Sequence, residues 1–205
     1  EKRKARNLSG GEKKRVAIAR ALMAAPEVLL LDEPDGNIDS KTSGELEKLI
    51  ISLKRDGITV ILCSHHKGFA YRTSDVIIDM YQGSPVSHDE NIFKGEYIYL
   101  DGLYSEFRTG GHRFRCPSRE GDYSTMVIPA ENISLSKDSV GDGKSNELKG
   151  ILVSMVPFKE GRFTLTLDCG IILKTRTSST VLSLLKLRPG DEVNVLFNPS
   201  SLRLY

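Results

Sequence analysis

The stretch Val28-Leu29-Leu30-Leu31-Asp32-Glu33-Pro34 decides the fold of this chain. Four consecutive aliphatic residues are typical of a strand buried in a parallel sheet, and two acidic residues follow them directly. Residues 58–62 form a second run of this kind, and residues 41–55 between the two have apolar side chains at helical spacing. A strand, a helix and a strand with short connections predict a parallel sheet with right-handed crossovers. Residues 76–80 predict a third buried strand of the same sheet.

The pattern changes after residue 85. Apolar and polar residues alternate strictly in residues 163–168 and again near 193–197, and glycine-containing turns recur between short segments. Several short strands at this spacing predict a small barrel or sandwich. The polar, glycine-bearing residues 136–145 predict a linker within this β region. We therefore expect part of an α/β domain in residues 1–88, followed by an all-β, OB-like small barrel in residues 89–205.

Charge and composition exclude several classes of function. The 29 lysines and arginines nearly balance the 27 aspartates and glutamates, so the chain lacks the overall positive field that nucleic-acid binding usually needs. The three cysteines lie far apart without a CxxC pair, which favours a reducing cytosol over a disulfide framework. No stretch of about 18 apolar residues and no leader pattern occur, so we expect any membrane link to run through a partner protein. We also expect the chain to begin inside a domain.

The segment Leu8-Ser9-Gly10-Gly11-Glu12 opens a predicted helix over residues 9–24. The Ser9 hydroxyl, the N–H groups beside the two glycines and the positive end of the helix dipole suit a terminal phosphate. For this segment alone, a plain N-cap turn is the alternative interpretation.

Acidic and histidine residues follow the two predicted strands. Open α/β sheets bind ligands at the carboxyl ends of their strands, and Mg²⁺ prefers few protein oxygens, so Asp32 is a candidate Mg²⁺ ligand. Glu33 is a candidate for orienting or deprotonating an attacking water. The register after the second strand makes His65 the better candidate for contacting a transferring phosphate, with His66 as its exposed neighbour.

In this order, the motifs resemble those of ABC-type ATPase subunits. Residues 8–22 are similar to the ABC signature and the helix that follows it, and residues 28–33 to Walker B with its catalytic glutamate. Residues 36–39 are similar to the D-loop, and residues 64–65 to the switch histidine segment. In that family, two ATPase domains pack head to tail, and each ATP lies between the P-loop of one and the signature of the other.

The resemblance implies a fold, cofactors and roles for particular residues. The fold is the C-terminal half of a P-loop ABC ATPase domain, the cofactors are ATP and Mg²⁺, and the assembly is a homodimer. The signature and D-loop residues would contribute to ATP binding, the signature in trans: Ser9, Gly10, Gly11, Glu12 and Asp39. Asp32, Glu33 and His65 would serve the nucleotide of their own subunit.

One family motif does not occur in the 205 residues. No GxxxxGK[ST] is present, and the nearest string, Gly141-Asp142-Gly143-Lys144-Ser145, has Asp138 where the motif needs glycine. We interpret this string as a linker. Because P-loop amides and a lysine hold the β- and γ-phosphates, we expect this chain alone to bind ATP poorly and to hydrolyse it negligibly.

The β-rich part resembles the TOBE and Mop-type tails of importer ATPases, of which the Mop type binds molybdate or tungstate. The similarity lies in residues 127–133, 146–150 and 185–197, and it implies a Mop-like module over about residues 146–205. Amides, hydroxyls and basic side chains hold tetrahedral dianions. The candidate oxyanion ligands are Asn146, Lys149, Thr177, Ser178, Ser179 and Thr180. The alternative is a tail that only dimerises and packs, with residues 177–180 forming a helix cap.

The leading hypothesis is the ATP-hydrolysing subunit of a molybdate or tungstate ABC importer. This hypothesis implies that the chain lies at the cytoplasmic face of the membrane and binds an integral membrane permease. A solute-binding protein would be an indirect partner, through the permease. One alternative is an importer ATPase for another solute, such as sulfate, sugar, polyamine or iron. Another is a non-catalytic oxyanion-binding or regulatory module. A nucleic-acid role is a third, but no basic and aromatic binding surface is evident.

Overall fold

The computed structural model describes residues 8–86, 88 and 90–205. The chain divides into two compact units, Glu1–Ile77 and Ile78–Tyr205. The division lies before the predicted boundary at residue 88, so the second unit includes a hairpin that the sequence assigned to the first. The basic opening of the chain, residues 1–7, falls outside the described residues. Among the described residues, no helix is both long and apolar enough to cross a membrane.

The first unit alternates helices and strands in the predicted order. Its elements are α1 (Gly10–Leu22), β1 (Val28–Asp32), α2 (Ser40–Arg55), β2 (Thr59–Cys63) and α3 (Lys67–Thr73). β1 and β2 pair in parallel, from Val28 opposite Thr59 to Asp32 opposite Cys63. The predicted strand–helix–strand arrangement is therefore confirmed, and the carboxyl ends of both strands lie side by side.

One face of this two-stranded sheet packs on the helices. Leu29 of β1 belongs to a core with residues from all three helices: Ile18, Leu46, Ile50, Leu53 and Phe69. On the opposite face, Leu30 is 71% exposed and Ile61 is 54% exposed. The prediction that both strands are fully buried is therefore wrong, because the described helices of this unit cover only one face of the sheet.

The predicted third strand does not join this sheet. Instead, β3 (Asp79–Tyr81) pairs antiparallel with β4 (Ser84–Val86) in the second unit. Gln82 and Gly83 connect them with φ values of 48° and 78°, as in a two-residue type I′ hairpin turn. This local turn pairs β3 with the strand that directly follows it, and Val76 and Ile78 stay exposed.

In the part of the second unit that the structure describes, the elements are antiparallel strands, one α-helix and three single-turn 3₁₀ helices. Its further elements are β5 (Glu90–Lys94), β6 (Glu96–Ile98), β7 (Tyr104–Thr109), β8 (His112–Pro117), β9 (Thr125–Pro129), β10 (Ile133–Ser136), β11 (Asn146–Pro157), β12 (Arg162–Asp168), β13 (Ile172–Ser178), α4 (Ser179–Leu185), β14 (Glu192–Phe197) and β15 (Arg203–Leu204). The strand orders are β10-β14-β11-β12-β13, β15-β9-β5 and β6-β7-β8. We expected a Mop-like module to begin at residue 146. The five-stranded sheet that contains β11 to β14 also includes β10, which lies before that residue.

Side chains from all three sheets fill one core. The predicted alternation is confirmed on β12, where Leu165 and Leu167 are buried. On β14, Val193, Val195 and Phe197 are buried, but so is the polar Asn194 between them. Thr175 on β13 donates a hydrogen bond from Oγ1 to the carbonyl oxygen of Ile133, the first residue of β10, at 3.0 Å. The two edge strands of the five-stranded sheet therefore meet, and the sheet curls as a small barrel requires.

Two buried asparagines connect strands that are not neighbours in a sheet. Asn91 on β5 accepts from the N–H of Lys174 at 2.6 Å and donates to the carbonyl of Lys174 at 2.9 Å. Asn146 on β11 accepts from the N–H of Arg115 at 2.8 Å and donates to its carbonyl at 2.9 Å. Each side-chain amide thus pairs with both backbone groups of one residue, as a neighbouring strand would.

Residues 137–145 connect β10 to β11, as the linker prediction required. Within this loop, the Asp142 carboxylate accepts hydrogen bonds from the N–H groups of Lys144 and Ser145 at 2.8 and 2.9 Å. These contacts are typical of an Asx turn, and they direct the glycine-rich string into a surface loop.

Candidate functional site

The start of α1 forms a complete capping box. Ser9 Oγ accepts from the N–H of Glu12 at 3.2 Å, and Glu12 Oε2 accepts from the N–H of Ser9 at 2.8 Å. A Cβ at Gly11 would lie 3.2 Å from Cγ2 of Thr42 on α2, which is a tight contact, so this glycine lets the two helices approach closely. Nothing lies within 4 Å of a Cβ built at Gly10, so this first turn is open to a ligand. The N-cap of the alternative interpretation is therefore present, and phosphate binding at this turn stays a prediction.

Asp32 is the last residue of β1, and its side chain is exposed at the carboxyl end of the sheet. Within residues 8–86, 88 and 90–205, no three histidine, cysteine, aspartate or glutamate residues form a metal-binding group. A single exposed carboxylate fits Mg²⁺, which is commonly held by one or two carboxylates together with phosphate oxygens and waters. Asp32 would hold such an ion together with a nucleotide.

Glu33 and His65 lie in contact beyond the two strand ends. His65 Nδ1 is 3.0 Å from Glu33 Oε1, and both side chains are more than half exposed. The backbone N–H of Glu33 donates to the carbonyl of Cys63 at 2.9 Å, which continues the β1–β2 pairing by one residue. Glu33 has a φ of 41°, an uncommon value for a non-glycine residue. Backbone in this uncommon region is often found at functional sites.

A second histidine–carboxylate contact lies beside the first. His66 Nδ1 is 2.6 Å from Asp35 Oδ2, and Ser64 Oγ donates to the same oxygen at 2.9 Å. The Asp35 side chain is only 2% exposed. The sequence did not predict Asp35. An acidic residue directly after Pro34 looks like an ordinary solvated loop residue, so no local signal in the sequence marks it.

Lys14 joins α1 to the turn after β1. Its ammonium donates to the carbonyl of Glu33 at 2.7 Å and also to the carbonyl of Gly36. A Cβ at Gly36 would be in ordinary van der Waals contact, 3.5 Å from Lys14 Nζ and 3.4 Å from Glu33 Oε2. Lys14 therefore stabilises the strained turn, and sequence reasoning missed it because lysines on a helix face are usually solvated.

Known proteins share these motifs. The family described as ABC transporter matches residues 1–36. "Spermidine/putrescine import ATP-binding protein PotA" of Borreliella afzelii is 31% identical over 217 aligned positions, which cover 96% of this chain and 59% of the relative. "Molybdate/tungstate import ATP-binding protein WtpC" of Pyrococcus horikoshii is 30% identical over 220 positions, which cover 99% of this chain and 64% of the relative. The chain belongs to the ABC transporter ATP-binding family.

This ABC chain spans about six tenths of the length of those two relatives. A molybdate-bound crystal structure of the cytoplasmic molybdate-binding protein ModG aligns with 56% of this chain and 94% of its own chain, at 19% identity and a TM-score of 0.46. A TM-score below 0.5 does not establish a shared fold, so this likeness decides nothing about a ligand of the ABC chain.

Asp39, which the family resemblance places in the D-loop, caps α2. Its Oδ1 accepts from the N–H of Thr42 at 2.9 Å, and its Oδ2 accepts from the Thr42 hydroxyl at 2.8 Å. These backbone and side-chain hydrogen bonds from Thr42 lower the pKa of the Asp39 carboxyl. Asp39 therefore has a structural contact within its own chain, and its part in ATP binding stays a prediction.

The six candidate oxyanion ligands do not come together. Lys149 is exposed on β11 opposite Asn194, whereas Thr177 lies on β13 opposite Phe163. β12 separates the two strands, and Phe163 pairs in turn with Pro157 at the far end of β11. At about 3.3 Å per residue, the eight residue steps from Lys149 to Pro157 correspond to roughly 26 Å along the strand. The candidates therefore form two separate groups.

The structure gives several of these candidates other contacts. Both polar atoms of Asn146 bond the backbone of Arg115. Ser178 is the N-cap of α4, and its Oγ accepts from the N–H of Val181 at 3.3 Å. The helix-cap alternative is thus confirmed for Ser178, while Ser179 and Thr180 are exposed in the first turn of α4. Anion binding by these residues stays a prediction.

Proposed function

We propose that the chain is the C-terminal portion of the ATP-hydrolysing subunit of an ABC importer. The contact between Glu33 and His65, at the paired ends of β1 and β2, is the observation that carries the proposal. The exposed Asp32 carboxylate is a further polar group at this edge for the subunit's own nucleotide, and the capped start of α1 supplies polar groups for the nucleotide of the partner subunit.

The chemistry proposed at this edge of the sheet is attack of water on the γ-phosphorus of ATP. The Glu33 carboxylate takes the water proton while the bond between the γ-phosphorus and the ADP oxygen breaks. Because a carboxylate accepts hydrogen bonds, His65 donates from Nδ1 to Glu33. With both ring nitrogens protonated, His65 also donates from Nε2 to the transferring phosphate. Mg²⁺ at Asp32 would neutralise phosphate charge.

The proposed assembly is a head-to-tail homodimer. Ser9, Gly10, Gly11 and Glu12 would face the ATP of the partner subunit, with Asp39 near the same interface. A permease in the membrane and a solute-binding protein outside it complete the proposed importer, and the chain works at the cytoplasmic face. The names of the two relatives, both import ATP-binding proteins, support this assignment.

The test of this function uses the complete subunit, meaning the uninterrupted reading frame that contains this sequence. Glu33→Gln keeps the shape of the side chain but removes the proton acceptor. We expect it to retain ATP binding, to accumulate as an ATP-bound dimer in size-exclusion chromatography and to lose turnover. Glu45→Gln, at an exposed acid of α2 paired with Arg15, is the matched control and keeps turnover. Turnover near the wild-type rate in Glu33→Gln would show that Glu33 is not the base.

For the transported solute, we propose molybdate or tungstate. The similarity to a molybdate and tungstate import protein over 99% of the chain supports this class. The similarity to a spermidine and putrescine import protein favours a polyamine as the second candidate. Calorimetric titration of the chain with tungstate, molybdate, sulfate and spermidine separates the two.

Saturable heat with tungstate or molybdate, and none with sulfate, is the expected result. Lys149→Ala and Ser179→Ala then show which of the two groups of candidates binds, because only variants at the site weaken the affinity. Lys159→Ala, at an exposed lysine outside both groups, is the control. Saturable heat with spermidine alone would replace the oxyanion assignment, and no heat with any solute would leave the tail as a packing element.

A further inference from the structure

Asp35 is a buried charge without an obvious role in the fold. Its Oδ2 accepts hydrogen bonds from Ser64 and His66, while its Oδ1 is buried and has no hydrogen-bond partner among the described residues. A buried carboxylate oxygen without a partner is unfavourable, and proteins satisfy nearly all such atoms. The two bonds that Asp35 does make both go to the loop that carries His65.

Asp35 fixes the loop on both sides of His65. The Ser64 hydroxyl donates to Asp35 and accepts from the N–H of His66 at 3.0 Å. The His66 ring is held by its bond to the same carboxylate oxygen. Ser64 and His66 are thus anchored to one buried atom, and His65 is the residue between the two anchors.

The exposed His65 side chain is located by two contacts. One is the hydrogen-bond contact with Glu33, and the other is the His66 ring, whose centroid lies 4.1 Å from the His65 centroid with the planes tilted by 55°. Because His65 is 60% exposed, little other packing holds it. The orientation of the His66 ring therefore limits where the His65 ring can lie.

We propose that Asp35 is a positioning residue that holds the His65 ring against Glu33 through Ser64 and His66. The proposal rests on the ATPase function proposed above, in which His65 and Glu33 act together. Asp35 touches no reacting atom. It fixes the geometry of a pair whose efficiency depends on sub-ångström placement.

A purely structural role for Asp35 gives different expectations. If Asp35 only stabilised the loop, its variants would lower the melting temperature and leave the rate per folded molecule unchanged. A positioning role lowers kcat in folded protein and leaves KM for ATP nearly unchanged, because His65 and Glu33 act at the transferring phosphate rather than in ground-state binding.

The first measurement uses the 205-residue chain and does not depend on activity. Histidine imidazole ¹⁵N spectra and the nuclear Overhauser effects between the His65 and His66 rings are compared in wild type, Asp35→Ala, Asp35→Asn and Thr73→Ala. Asp35→Asn keeps an acceptor for both donors. Thr73→Ala is the control, because it removes a buried hydroxyl that bonds Phe69 at 2.8 Å in α3, away from the pair.

We expect Asp35→Ala to lose the ring-to-ring effects, and Asp35→Asn and Thr73→Ala to keep them. If Asp35→Ala does not fold, Ser64→Ala replaces it, since it removes one donor to Asp35 without adding volume. Unchanged ring-to-ring effects in a folded Asp35→Ala, or in a folded Ser64→Ala used in its place, would overturn the proposal.

The second measurement is steady-state ATP hydrolysis by the complete subunit. We expect kcat to fall about 10- to 100-fold in Asp35→Ala with KM changed less than about threefold, and Asp35→Asn to recover most of the loss. A kcat equal to wild type in Asp35→Ala would overturn the proposal. If the wild-type subunit hydrolyses no ATP, the proposed function fails, and the ring measurements alone decide whether Asp35 positions His65.

Discussion

Replacing Asn91 with alanine tests how the β-rich unit is held together. Asn91 is 7% exposed, and its side chain makes three hydrogen bonds, two with the backbone of Lys174 and one with the carbonyl of Ile128. Alanine removes all three and leaves the N–H of Lys174 without this acceptor. Edge strand β13 then loses the group that takes the place of a neighbouring strand.

The expected loss in the free energy of unfolding follows from these bonds. At about 1 kcal/mol for each net hydrogen bond, three bonds correspond to about 3 kcal/mol. That is a large part of a typical stability of about 5–15 kcal/mol and shifts the folding equilibrium by roughly 100-fold. Asn91→Asp should cost at least as much, because it places a carboxylate oxygen against two carbonyl oxygens.

Tyrosine fluorescence during urea unfolding is the assay. The chain has no tryptophan, and of its seven tyrosines only Tyr71 lies in the first unit, so the signal reports mainly the second. Asn132→Ala, at an exposed asparagine just before β10, is the control and should change stability by less than about 0.5 kcal/mol. Faster hydrogen exchange at the N–H of Lys174 should accompany the loss. Equal stability of the Asn91 and Asn132 variants would refute the reasoning.

Two further predictions concern packing and thiol chemistry in the same chain. Gly95→Ala would place a Cβ 2.1 Å from a backbone carbonyl oxygen, and we expect a loss of roughly 1–3 kcal/mol or failure to fold, measured by urea unfolding. Gly102→Ala, with nothing within 4 Å of the new Cβ, is its control and should stay near wild type. Burial raises the pKa of the Cys116 and Cys169 thiols to about 11, whereas Cys63 is exposed. At pH 8 those two thiols stay protonated, so a thiol reagent should label one cysteine quickly and the others only after denaturation. Fast labelling of all three thiols in native protein would contradict the burial of Cys116 and Cys169.

Much of the α/β unit could be predicted because its strands carry local signals. The aliphatic run before Asp32 and the switch segment at His65 each mark a strand end, and parallel pairing then brings the two ends together. The third strand could not be predicted from its apolar residues, because the type I′ turn at Gln82 and Gly83 pairs it locally. The periodicity of apolar residues does not show whether a strand joins the parallel sheet of β1 and β2 or pairs with the strand that follows it.

The contacts behind the site were harder to predict for another physical reason. Asp35 and Lys14 look like ordinary solvated residues in the sequence. Their roles depend on which groups the fold places beside them, which are the side chains of Ser64 and His66 for Asp35 and two backbone carbonyls for Lys14. The same holds for Asn146, which the sequence offered as an anion ligand and the structure uses to bind the backbone of Arg115. Polar residues that satisfy distant backbone groups carry no local signal.

The central claim is that Glu33 and His65 form one hydrolytic pair, and a double-mutant cycle in the complete subunit tests it most directly. The rate kcat for ATP is measured in wild type, Glu33→Gln, His65→Ala and the double variant. Each single substitution is expected to lower kcat by at least about 100-fold, and the double variant should lose no more than the worse single variant, because the residues act as a unit. Near-wild-type turnover in either single variant, or a double loss equal to the product of the two single losses, would contradict the claim.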